Sequence, residues 1–143
     1  MTSPFNAIAT ALYNILKADA PLVAALGGTA ANRFKIYHII APQRYAVPYV
    51  TYGQITDIPL GDFNDPTTIE QTTWYINCFS KTGSKNAGTI AGLVTTVLDN
   101  AVLTVAGFNE LWCLREFIGS PIYDPETTIY LIPLRYSIWV NNP

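Results

Sequence analysis

Two thiols, one imidazole and a few carboxylates are the side chains in this sequence with chemistry to offer. His38 is the only histidine, so an imidazole-activated nucleophile would have to reach it. It sits in Tyr37-His38-Ile39-Ile40, an apolar stretch with no adjacent carboxylate to orient the ring, and reads as a structural or surface histidine. Cys78 and Cys113 lie far apart and, with a single histidine available, complete no metal-ligand motif. In a reducing cytosol such thiols read as small buried hydrophobes. Asp62, Asp65 and Glu70 do not follow the alternating oxygen ligands and closing Glu of a calcium loop, and read as a solvated loop. Gly27-Gly28 is not followed by the Gly-x-x-x-x-Gly-Lys cradle of a phosphate loop, and Asp124-Pro125 is ordinary turn chemistry. The expectation is a chain without catalytic residues, metal or cofactor.

Charge separates this sequence from an ordinary soluble monomer. Charged residues make up 13% of the 143 and hydrophobic ones 50%, against about 25% charged in a typical domain. Eight Lys and Arg with ten Asp and Glu cover a surface of this size poorly. The nine Tyr and three Trp then suggest that other subunits cover part of it, because interfaces are rich in aromatics and poor in charge. A net charge of −2 argues against a phosphate-binding surface. No apolar run approaches the roughly 18 residues of a membrane span. Met1-Thr2-Ser3-Pro4-Phe5 lacks the regions of a signal peptide, so a cytosolic origin is expected.

The elements follow from periodicity. Ser3-Pro4 predicts a helix start, and Phe5, Ile8, Ala9, Leu12, Ile15 and Leu16 recur at helical spacing. That helix should end near Asp19, before Pro21, with a short turn over Leu22 to Leu26 that Gly27-Gly28 breaks. Arg33 to Ile40 reads as extended, and Val47 to Ile55 as a strand with Pro48 near its start. Pro59, Gly61, Asn64 and Pro66 mark Asp57 to Gln71 as a long loop or extended hairpin arm. Thr72 to Phe79 alternates as a strand, and Ser84 should cap a second helix carrying Ala87, Ile90, Ala91, Val94, Val97 and Leu98. A further strand falls within Gly107 to Ile118, and Ser120 to Thr128 reads as a loop. The last strand, roughly Thr128 to Val140, has an apolar even face, and Pro133 suggests an edge position or bulge. The expected fold is α+β: one domain over residues 1–143, with a single mostly antiparallel sheet and two amphipathic helices on one face.

The series then becomes recognisable. Leu16-Lys17-Ala18-Asp19 leads into Leu22-Val23-Ala24-Ala25-Leu26-Gly27, followed by Arg33-Phe34-Lys35-Ile36-Tyr37, Ala41-Pro42-Gln43 and Pro48-Tyr49-Val50-Thr51-Tyr52. Ile76-Asn77-Cys78-Phe79 precedes the second helix, and Tyr123-Asp124-Pro125-Glu126-Thr127 leads into the last strand. From about Ile8 to Val140 this order resembles the tail-completion (tail terminator) family of long-tailed bacteriophages. The resemblance implies a structural virion subunit without catalytic residues. It implies a homo-oligomeric ring, commonly six-fold, that caps the tail tube and joins it to the head connector while DNA passes through. Another neck or minor tail protein of the same particle is the nearest alternative, and a small-molecule-binding α+β domain a remote one.

Ring closure needs two different patches per subunit. The arm offers one: Ile58, Leu60, Phe63 and Ile69 with Asp57, Asp62, Asp65 and Glu70, and no base. The stretch from Arg33 to Arg44 offers the other, with Arg33, Lys35 and Arg44 and no acid. A contact between the arm of one subunit and the basic stretch of the next is the expected interface, the alternative being an arm folded back onto its own domain or disordered until it meets the tail tube.

Overall fold

The computed structural model describes residues 3–42, 46–61 and 69–142. Helix α1 spans Phe5–Lys17 and buries Ile8, Ala9, Ala11, Leu12 and Leu16, the stripe that its spacing predicts. Pro4 rather than Ser3 occupies the cap position, and the Ser3 hydroxyl accepts the Phe5 N–H at 3.3 Å. A separate helix, α2 (Ala20–Leu26), follows because Asp19 caps it: its carboxylate accepts the Leu22 N–H at 3.0 Å. Gly27 closes α2 at φ 68°, a left-handed conformation that glycine reaches without steric cost. Helix α3 (Ser84–Leu98) buries Ala87, Ile90, Ala91, Val94 and Leu98; it starts one residue earlier than expected, with Gly83 at the cap.

The strands are β1 (Ile36–His38), β2 (Tyr49–Leu60), β3 (Ile69–Ser80), β4 (Asn109–Ile118), β5 (Ile122–Asp124) and β6 (Ile129–Asn141). They form one sheet in the order β1-β2-β3-β6-β4, with β5 also paired to β6. Only β1 and β2 run parallel; the other pairs are antiparallel. The even residues of β3 and β6 point to the helices, as the alternation predicts. Trp74, Ile76, Cys78, Leu134, Tyr136, Ile138 and Val140 are all at most 1% exposed. Trp74 is held there by its indole N–H, which donates to the Thr72 hydroxyl at 3.0 Å.

Of the two readings of the arm, the extended hairpin holds over the described residues, with β2 and β3 paired to Leu60↔Ile69. Three expectations need correction. Arg33 to Ile40 is not extended throughout. Residues 30–35 form a tight turn in which Arg33, Phe34 and Lys35 take φ of 55°, 58° and 57°. The expected loop from Ser120 to Thr128 contains β5 before its turn, where Thr128 N–H donates to the Asp124 carbonyl at 2.8 Å. Finally, β6 is neither an edge strand nor bulged at Pro133; it lies between β3 and β4. In an antiparallel ladder a residue's N–H and C=O point to the same neighbour. The Pro133 carbonyl accepts from Gly119 N–H at 2.8 Å, so its missing N–H faces the gap where β4 has ended and β5 has not begun. The proline stands at a local edge inside a central strand.

Candidate assembly surface

Among the described residues, no acid–base or ligand cluster forms around the reactive side chains. His38 lies on the helix side of the sheet among Phe5, Tyr52 and Trp74, with ring centroids 5.5, 5.1 and 6.4 Å away. Its Nε2 is buried without a partner, and burial lowers its pKa, which keeps the ring neutral. Cys78 and Cys113 are buried free thiols, each pushed up to about 12 chiefly by burial. Among the described residues, no group of three or more His, Cys, Asp or Glu could hold a metal ion, and no helix is long and apolar enough to cross a membrane.

The arm separates its residues by face. A bulge between Gln54 and Thr56 shifts the alternation of β2, so Asp57 faces inward opposite Thr72 while Ile58 and Leu60 face outward. Ile58 and Leu60 are 55% and 44% exposed, and Ile69 is half-buried across from Leu60. Glu70 is buried, and its pKa is raised to about 7. The causes are a hydrogen bond with Asp57, then burial, then the Asp57 charge. Asp57 and Glu70 thus share the inward side of the arm, apart from the outward Ile58 and Leu60. Asp62, Phe63 and Asp65 lie outside the described residues, as does Arg44.

Arg33 is exposed beside α1, its guanidinium 5.2 Å from the centre of the Tyr13 ring, and Lys35 is half-buried. Three consecutive non-glycine residues in the left-handed region are strained, a condition that concentrates at functional sites. Beyond them Ile39 and Ile40 stand 60% and 77% exposed. This turn feeds β1, which pairs with Val50 to Tyr52, whereas the arm lies at the other end of β2. At about 3.3 Å per residue, Thr51 and Leu60 are roughly 30 Å apart. The structure therefore keeps the basic turn and the arm separate within one chain.

The residue-type reading missed the outward face of the sheet. Its rows run across strands: Tyr49–Phe79–Leu131, Gly53–Tyr75–Arg135–Phe117 and Ile58–Gln71–Trp139–Trp112. Gly53 lets the Tyr75 ring lie close across it, since a Cβ there would meet the Tyr75 hydroxyl at 2.5 Å and push the ring aside. Trp112 and Trp139 contact at 4.3 Å between centroids, and Leu114 and Phe117 are each 43% exposed. The outward odd positions of β3 and β6 were visible in the alternation. The partners that β2 and β4 bring to them were not, because bulges set both registers.

The described residues form an α+β fold, a sheet with one helix-covered face and an arm at one end. The family comparison gives the particular kind: residues 10–141 match the family described as Tail completion protein gp17, and the chain belongs to it. It is a structural protein of the bacteriophage tail and a component of the virion. A search of curated proteins finds no match. Among solved structures, a chain from "Virion of native gene transfer agent (GTA) particle" shares the fold. The TM-score is 0.72 at 22% identity, with 93% of each chain covered.

Proposed function

We propose that this chain closes into a ring at the end of the tail tube and joins the tail to the neck, with DNA passing through the ring. The observation that carries this is the hairpin arm, whose outward Ile58 and Leu60 remain in water in a single chain. Burying them against a neighbour is worth roughly 25 cal/mol per Å² of apolar area. The counterpart is the basic stretch with Arg33, Lys35 and Arg44. The arm and the basic stretch are different patches, and a head-to-tail contact between them whose rotation closes generates a ring. Similarity in fold to a chain of a gene transfer agent virion supports assembly into a particle. A net charge of −2 suits a channel that DNA crosses without sticking.

Replacing Ile58 to Ile69 with a short Gly-Ser bridge tests the reading, with native mass and the joining of heads to tails as readouts. Loss of both is expected. Rings of wild-type mass that still complete particles would sink the arm's role.

A further inference from the structure

Along β2, β3 and β6 the outward ladder positions hold a single charge, Arg135. Its Nε is buried without a hydrogen-bond partner, and its guanidinium rests over the Phe117 ring at 5.0 Å. It makes no ion pair among the described residues. An arginine braced by aromatics in a charge-poor field has the composition of an interface centre. A buried guanidinium donor left unpaired costs free energy until an acceptor arrives. One isolated base does not suit DNA, whose binding draws on many phosphate contacts.

The acids of the chain indicate what the acceptor is. Asp19 caps α2, and Asp57 and Glu70 hold each other. Asp99 takes the Tyr136 hydroxyl at 2.7 Å and Arg115 at 3.5 Å. Glu110 accepts the Leu103 N–H, and Asp124 accepts from Glu126 N–H and the Thr127 hydroxyl. Of the described acids, only Glu116 and Glu126 have side chains without a partner. Both are exposed along the border formed by β4, β5 and the turn after β5. Ile118, Ile122 and Tyr123 on that border are 45%, 53% and 48% exposed.

We propose that the Arg135 face of one copy docks on the β4–β5 border of a second copy, with Glu116 or Glu126 supplying the carboxylate to Arg135. The carboxylates stand on the β4–β5 border beside the Arg135 face, where Glu116 precedes Phe117, and the outward face runs continuously into the arm through Ile58 and Leu60. This rests on the ring reading and adds a second surface to it.

The test uses the full chain, with native mass and dilution-dependent association as readouts and the unfolding midpoint as a fold control. Arg135→Glu should weaken association about tenfold or more, the scale of losing a desolvated charge pair. Glu116→Arg or Glu126→Arg in the same chain should restore it and so identify the carboxylate. Trp112→Ser, on the same face and away from the charge, should weaken association, and the midpoint measured beside it separates that loss from the lost contact with Trp139. Rings of wild-type affinity in both Arg135→Glu and Trp112→Ser overturn this inference and leave the ring reading standing. Intact rings that no longer join heads assign the face to a different virion protein and overturn the second-copy assignment. A wild-type chain that stays monomeric at every concentration overturns both.

Discussion

The two faces of the sheet share strands and backbone yet have different fates. Inward positions carry Trp74, Ile76, Leu134, Tyr136 and Ile138 and are closed over by helices. Outward positions carry Tyr75, Phe79, Trp139, Thr73 and Asn77 and are only half-buried, by one another. Single-residue alternation lets one sequence write two surfaces, one covered by helices on folding and one left open. Apolar side chains are common to both faces. Coverage by a helix is what separates them.

Truncations on the two faces should therefore separate stability from assembly. Trp74→Ala should lower the unfolding free energy by about 3–5 kcal/mol and Leu134→Ala by about 2–5 kcal/mol, read by denaturant titration. An unchanged midpoint for Leu134→Ala would show that this face is not core. Leu114→Ala, outward on β4, should cost about 1 kcal/mol or less, because its side chain is 43% exposed. A cost equal to that of Leu134 would erase the contrast.

Smaller effects sharpen the comparison at the arm and the helix ends. Glu70 has a folded pKa of about 7, above the ordinary carboxyl value of 4.5, so the native state holds an extra proton between these values. Stability should fall as pH rises from about 4.5 through 7 and then level off. Glu70→Gln should flatten that dependence and raise the midpoint at pH 8 relative to wild type; an unaltered slope would place the proton elsewhere. Asp19→Ala removes the cap of α2 and should cost about 1 kcal/mol. Circular dichroism melts would register it.

What could be read from the sequence follows the same division. The stripes of α1 and α3 and the alternation of β3 and β6 were legible because packing against one core imposes their period. The sequence left the arm open between a loop and an extended hairpin because Pro59 and Gly61 are turn residues, and the ladder survives beside them. The inward turn of Asp57 was hidden because a bulge shifts parity without a sequence marker. The turn at Arg33 to Lys35 was missed because three left-handed residues in a row contain no glycine. Arg135 gave no signal of its own, being one charge in an alternating strand until Phe117 and Tyr75 are placed on either side.

Cys78 and Cys113 bear on the life of the particle. A phage is assembled in a reducing cell and then survives in oxidising surroundings, where an accessible thiolate would invite oxidation or cross-linking. Burial holds both thiols protonated, near a pKa of 12, and the Cys113 Sγ is turned to the Leu98 carbonyl at 3.4 Å. Only the thiolate reacts readily, so lysis of the host changes the redox medium without changing the protein.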